Sequence, residues 1–310
     1  MRILITGVSG LLGLNLALEA AKQHTVFGTV NSHPIKTKAF EVLRVNLLEP
    51  DTLDRVVTYA NPDWVIHCAA LANLEACEAD PALAKQLNTD LPEQLATIVA
   101  RGGARLLHVS TDAVFDGLRG NYTEDDQPEP LSVYARTKYD GEQGVAAVNP
   151  EAIVARVNLF GWSLSGKRSL AEFFYYNLAA GKQVKGFTDV YFCPLLANDL
   201  AQIFIDMLAA DLQGLYHVVS SECISKYDFG LKLCRQFGLD RELISPISVT
   251  EGGLLAVRSP NLTLKSDKLK KAILKPIPGL STGMRRFYTL YQQGYPQKIF
   301  EMRLGSGMED

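Results

Sequence analysis

Arg2-Ile3-Leu4-Ile5-Thr6-Gly7-Val8-Ser9-Gly10-Leu11-Leu12-Gly13 opens the chain, and Leu14, Leu16, Leu18 and Ala20-Ala21 carry its apolar character to about Gln23. A short apolar run that stops at a cluster of glycines and continues into helix formers reads as strand, tight turn and helix. Gly7 permits a turn that a Cβ would obstruct, Gly10 lets backbone N–H groups approach a pyrophosphate, and Gly13 lets helix and strand pack closely. The helix N-terminus adds partial positive charge on the same side. The stretch predicts a dinucleotide site built from Gly7, Ser9, Gly10, Leu11 and Leu12.

Working outward, further strands are predicted at 25–30, 41–45, 63–70, 105–110 and 151–159, with helices at 50–59, 81–101 and 132–144. Strands that alternate with helices of this length imply βαβ units, and so a parallel sheet with right-handed crossovers and helices on both faces. The predicted class is α/β, a Rossmann doubly wound sheet over residues 1–161. Beyond Trp162 the pattern loosens, with helices expected at 170–180, 198–209, 226–237 and 282–293, a strand at 215–219 and a loop at Pro194. No Gly/Ser-rich linker divides the halves, so residues 162–310 are expected to form a smaller substrate-binding lobe packed on the first, with some segments free to return to it.

Composition narrows the function classes. The 310 residues are 47% hydrophobic and 21% charged, enough for a sizeable core and too apolar for disorder. Net charge is −3, with no run of Lys or Arg to track a phosphate backbone, so no nucleic-acid partner is expected. The opening apolar run is too short for a signal segment or a membrane span, which predicts a cytoplasmic protein without membrane contact. Cys68, Cys77, Cys193, Cys223 and Cys234 contain no C-x-x-C pair and are expected to be reduced core thiols, with no metal site.

An acidic residue about twenty positions past the glycines would hold the ribose 2′-hydroxyl of NAD. Thr29-Val30-Asn31-Ser32-His33 contains none, and Lys36 and Lys38 follow. A 2′-phosphate would meet donors there and no repelling carboxylate, so NADP is the expected cofactor and NAD the alternative. The expected cofactor contacts extend to Asn31, Ser32, Asn46, Leu47, Cys68, Ala69 and Ala70.

Tyr134-Ala135-Arg136-Thr137-Lys138 places Tyr134 and Lys138 on one face of a predicted helix. An ammonium beside a phenol favours the phenolate, which makes Tyr134 a candidate acid/base and Lys138 its tuner. Upstream, a buried-type strand ends in Ser110-Thr111-Asp112, at the edge where parallel sheets collect ligands. Glycine turn, strand-end hydroxyl and Tyr-x-x-x-Lys in this order resemble the short-chain dehydrogenase/reductase superfamily, and the G-x-x-G-x-x-G spacing resembles its extended branch. That resemblance implies a proton-transfer triad of Thr111, Tyr134 and Lys138, with Asn88 as the helix asparagine between the motifs.

Longer strings are similar to the dTDP-4-dehydrorhamnose reductase family: His67-Cys68-Ala69-Ala70, the run from Ser110 to Gly117, Val133 to Lys138 with Gly141-Glu142, Tyr191-Phe192-Cys193-Pro194, Leu215-Tyr216-His217-Val218, and Ser259 to Leu264. The resemblance implies reduction of a nucleotide-sugar 4-ketone with NAD(P)H, a nucleotide-sugar partner held by the C-terminal lobe, and a homodimer as a further expectation. The expected substrate contacts are Asp112, Val114, Phe115, Asn158 and Pro194. Where the family usually carries Arg-Thr-Ser-Trp, this chain has Arg156-Val157-Asn158-Leu159, and Asn158 is similar to the asparagine of nucleotide-sugar epimerases. An epimerase is therefore one rival reading. Dehydration is disfavoured because Ala113, not Glu, follows Asp112. A second rival is a non-catalytic, NADP-bound regulatory subunit, since the resemblance extends to the beta subunit of methionine adenosyltransferase. Arg156 is open between an ion pair and a substrate phosphate, Asp112 and Asp116 could cap their loop, and His67 is expected to be a hydrogen-bonded core residue.

Overall fold

Ile3, Leu4 and Ile5 have no exposed surface, because the strand they form lies at the centre of a sheet covered on both faces. The computed structural model describes residues 1–251 and 259–303. Its first half runs β1 (Arg2–Thr6), α1 (Leu11–Ala20), β2 (Thr25–Val30), β3 (Glu41–Arg44), α2 (Thr52–Ala60), β4 (Trp64–His67), α3 (Leu74–Ala79), α4 (Pro81–Lys85), α5 (Leu91–Gly102), β5 (Arg105–Thr111), α6 (Val133–Val148) and β6 (Ile153–Val157). The second half adds β7 (Leu159–Phe160), α7 (Leu170–Ala179), β8 (Val184–Phe187), β9 (Tyr191–Phe192), β10 (Leu195–Leu196), α8 (Ala197–Ala209), β11 (Gly214–Val218), β12 (Ile224–Ser225), α9 (Lys226–Phe237), β13 (Ile244–Ile247), α10 (Asp267–Ile273), α11 (Leu280–Gln292) and α12 (Tyr295–Phe300).

Seven strands form one parallel sheet in the order β11-β6-β5-β4-β1-β2-β3. Along β1 the side chains alternate: Ile3 and Ile5 pack with Leu14 and Leu16 of α1 and Phe204 of α8, while Leu4 packs with Leu53 of α2 and Leu95 and Val99 of α5. The sheet is thus doubly wound, as expected. Chain order reverses at β1, which has β2 on one side and β4 on the other, and ligands of such sheets bind beyond the carboxyl ends at that switch point. Register brings Thr6 beside His67 and His67 beside His108, so the ends of β1, β4 and β5 form one rim.

After β6 the chain builds a second layer from short pairs, β7 with β10, β9 with β12 and β8 with β13, and returns once to the main sheet as β11. Trp162 anchors it, stacked on Phe287 at 4.0 Å and donating from Nε1 to the Phe287 carbonyl at 3.1 Å. Among the described residues no helix is long and apolar enough to cross a membrane.

The helix predicted over 81–101 is present as one continuous run over 81–102, with a single π-helical turn at Gln86–Asp90, where Pro92 cannot donate and the buried Asn88 amide is turned toward Leu71. Two expectations need correction. The strand predicted over 151–159 ends at Val157, and the chain resumes pairing with a different partner at Leu159. Cys193 and Cys223 are joined in a disulfide, with Cα atoms 4.1 Å apart, rather than being free thiols. They lie 30 residues apart and meet because β9 and β12 pair antiparallel, a contact that local sequence does not encode. Cys68, Cys77 and Cys234 are free thiols.

Candidate active site

The first wall of the site is the glycine turn. Gly7 has φ +72°, and a Cβ there would lie 2.9 Å from the backbone N and Cα of Ala69. A Cβ at Gly13 would stand 2.4 Å from the Gly7 carbonyl oxygen. Both positions therefore require glycine, and the Cys68–Ala70 backbone sits directly against the turn. Thr6 Oγ1 holds it there by accepting from the Cys68 and Ala69 N–H groups, each at 3.1 Å. Gly10, the N-cap of α1, has no side chain to spend on the first helical N–H groups. They remain available to an anion, as a pyrophosphate requires.

Beyond the ends of β2 and β3 lies a cavity of about 360 Å³ lined by Asn31, Ser32, Arg44, Val45, Asn46, Glu49, Thr52 and Arg55. Asn31, Ser32 and Asn46 were expected at the cofactor; Leu47 does not line this cavity. Arg44 and Arg55 are not among the contacts predicted from sequence: the pairing of β3 with β2 carries Arg44 to this cavity and the helix α2 carries Arg55. Lys36 and Lys38, the donors expected from sequence, are not in the lining. Their loop is tied instead to the C-terminal segment, where the Lys36 N–H donates to the Met302 carbonyl at 2.7 Å.

The second wall is the end of β5 facing α6. Ser132 caps α6 through the Ala135 N–H, which fixes the first turn and with it Tyr134 and Lys138 four residues apart on one face. Thr111 donates to Asp112 Oδ1 at 3.2 Å and accepts from the Ala113 N–H, and its hydroxyl is near enough to the Tyr134 phenol to act on its ionisation. The adjacent Ser110 points elsewhere, donating to Glu142 Oε1 at 2.5 Å. Lys138 is buried and donates to the Val109 carbonyl at 2.6 Å. Asn88 has no exposed surface: its oxygen accepts from Leu71 N–H at 2.9 Å, and its amide donates to the Leu71 carbonyl and to Thr137 Oγ1. It thereby ties α6 to the loop after β4.

The electrostatics differ from the expectation that Lys138 would hold the Tyr134 phenol down. Burial pushes Tyr134 up to about 12, against the lowering influence of Thr111, with Asp112 raising it further. Burial pushes Lys138 down to about 8, opposed by the charges of Glu142 and Cys68. At neutral pH the pair is a phenol that keeps its proton beside an ammonium that has lost part of its margin. Such a phenol suits proton donation.

Asp112 is buried, its two oxygens accepting from Asn158 Nδ2 at 2.5 Å and Thr111 Oγ1 at 3.2 Å. Val114 and Phe115 have no exposed surface; they pack with Tyr122, Cys193, Val219 and Leu264, and the Phe115 ring stacks on Tyr122 at 4.2 Å. Pro194 is buried between β9 and β10. Asp116 caps its loop, accepting from the Tyr122 hydroxyl and the Leu118 N–H. Arg156 forms a buried two-pronged ion pair, Nε to Glu142 Oε1 at 3.0 Å and Nη2 to Oε2 at 2.7 Å. The structure thus decides for the ion-pair reading of Arg156. His67 is a core residue, hydrogen-bonded to Thr6 Oγ1 at 2.8 Å. Among the described residues, no three His, Cys, Asp or Glu side chains gather as metal ligands would.

Known proteins share this architecture. A probable low-salt glycan biosynthesis reductase of Haloferax volcanii is 32% identical over 249 residues, 79% of this chain and 83% of that protein. The dTDP-4-dehydrorhamnose reductase of Mycobacterium tuberculosis is 31% identical over 283 residues, 89% of this chain and 88% of that protein. Methionine adenosyltransferase 2 subunit beta of Mus musculus is 30% identical over 280 residues, 87% of this chain and 81% of that protein. Among solved structures, a dTDP-4-dehydrorhamnose reductase of Clostridium acetobutylicum superposes with TM-score 0.80 at 25% identity, covering 94% of this chain and all (100%) of that one. A dTDP-4-dehydrorhamnose reductase of Bacillus anthracis in complex with NADP shares the fold with TM-score 0.80 at 23% identity, covering 93% of this chain and 98% of that one. Residues 1–293 match the family described as RmlD substrate binding domain, and the chain belongs to that family.

Proposed function

We propose that the chain is an NADPH-dependent reductase that converts the C4 ketone of a nucleotide-activated 4-keto-6-deoxy sugar into an alcohol. The reading rests on one observation above all: Thr111, Tyr134 and Lys138 converge at the carboxyl end of β5, on the same rim as the glycine turn after β1. The reductase relatives that match most of the chain support it.

The residues fit the cofactor. The free N–H groups at the start of α1 suit the pyrophosphate, and the Arg44–Arg55 cavity suits a 2′-phosphate, since two guanidinium groups outweigh the single carboxylate of Glu49. When bound, NADPH supplies a hydride to the ketone carbon. Tyr134, which holds its proton at neutral pH, gives it to the carbonyl oxygen as negative charge builds there, and the product is the alcohol. Thr111 orients that oxygen by a hydrogen bond, and the Lys138 ammonium stabilises the phenolate left behind. Asp112 and Asn158, joined to each other next to Thr111, hold sugar hydroxyls. Residues 162–310 form the substrate-binding lobe, with β11 returned to the main sheet.

A panel of nucleotide-linked 4-keto sugars assayed by NADPH oxidation tests the reading, which requires turnover on at least one member. The 30% identity to methionine adenosyltransferase 2 subunit beta favours a second reading, a cofactor-holding subunit without turnover of its own. Tight NADPH binding combined with inertness across the panel would select it.

A further inference from the structure

Beneath Lys138 lie two buried imidazoles that the proton transfer above does not use. His67 on β4 and His108 on β5 are register partners, with rings stacked at a centroid distance of 5.4 Å and an angle of 22°. Both are essentially without exposed surface. Their proton positions follow from their neighbours. Thr6 Oγ1 accepts from two backbone N–H groups, so its own hydrogen goes to His67 Nδ1, and the His67 proton sits on Nε2. Lys138 Nζ stands 3.4 Å from His108 Nε2. An ammonium has three donors and no lone pair, so Nε2 is the acceptor and the His108 proton sits on Nδ1.

His67 Nε2 and His108 Nδ1 are both buried without a hydrogen-bond partner. A purely apolar filler at either position would avoid that cost, so a polar pair here needs another reason. Burial and the nearby Lys138 charge hold both imidazoles far below their usual range, His67 near 3, and they stay neutral acceptors at working pH.

We propose that His108, backed by His67, is a positioning residue for Lys138. Its Nε2 takes one ammonium donor while the Val109 carbonyl takes a second, leaving one N–H for the reaction site. The other ionisable groups that act on this ammonium are Glu142 on its own helix, His67 on β4 and Cys68 just beyond it, with Glu142 already paired to Arg156 on β6. His108 adds a second neutral acceptor to the Val109 carbonyl, one that steadies the buried charge and restricts its rotation.

The inference rests on the reading of Tyr134 and Lys138 as the proton-transfer pair, and two readouts keep the two apart. The first is the titration of Lys138, followed by the carbon-13 shift of labelled lysine Cε, with Lys138→Met assigning the signal. Replacing His108 by Phe removes the acceptor at similar volume, and the Lys138 titration should fall by about one pH unit or more, a tenfold change in its protonation ratio. His108→Gln, whose amide oxygen can accept the same hydrogen bond, should restore most of it. His108→Leu, smaller and free of clashes, replaces the Phe variant if that chain does not fold. The second readout is the alkaline limb of turnover, which should shift with the titration. A Lys138 titration unchanged in the Phe or Leu variant, or a Gln variant that behaves like Phe, overturns the positioning role. Absence of turnover in the parent overturns the reductase reading instead and leaves the titration test standing.

Discussion

Asn158 Nδ2 donates to Asp112 Oδ2 at 2.5 Å, joining the residue after β6 to the residue after β5 at the rim of the site. Thr111 donates to the other Asp112 oxygen. Despite both bonds, burial pushes the carboxyl up to about 6 from 3.8. The folded chain therefore binds more protons than the unfolded one between about pH 4 and 6, and stability falls as pH rises through that window. The loss persists at neutral pH. Asp112→Asn should make the ligand-free protein more stable at pH 7 by about 1–3 kcal/mol and equally stable near pH 4. Denaturant unfolding at the two pH values measures this; the same pH slope in parent and variant would contradict it. A carboxylate kept at a cost to stability points to work at the site.

The Arg156–Glu142 pair carries a second prediction. Both side chains are almost fully buried, so removing one partner strands the other's charge. Arg156→Leu should destabilise by about 3–5 kcal/mol, and adding Glu142→Leu should recover a large part of that loss. Unfolding of the two variants and of the pair measures the cycle. A stable Arg156→Leu protein with a raised KM would instead mean that Arg156 meets the substrate.

What the sequence revealed and what it hid divide along a physical line. Strand, glycine turn and helix at the N-terminus, and the helix Lys226–Phe237, were legible because periodicity and capping are local. Tyr134 and Lys138 were legible for the same reason, since a four-residue helical spacing fixes one face. The Cys193–Cys223 bond, the Arg44–Arg55 cavity and the burial of Val114 and Phe115 depend on which distant strands become neighbours. The sign of the Tyr134 shift was hidden too, because desolvation depends on the packed surroundings and outweighs the lowering influence of Thr111.

The cavity arginines give a third prediction, on cofactor choice. If Arg44 and Arg55 receive a 2′-phosphate, Arg55→Ala or Arg44→Ala should weaken NADPH binding roughly tenfold and leave NADH nearly unchanged, as expected for a lost hydrogen bond to a charged group. Fluorescence titration with both reduced cofactors separates the cases. Equal weakening of the two would move these arginines away from the phosphate.

Tyr134→Phe tests most directly whether Tyr134 delivers the proton. The substitution removes one hydroxyl and keeps the ring, so folding and NADPH affinity should stay close to those of the parent. On a nucleotide-linked 4-keto sugar that the parent reduces, turnover should fall by about 10²–10⁴, the usual worth of a general acid. Parent-level turnover in Tyr134→Phe would contradict the account.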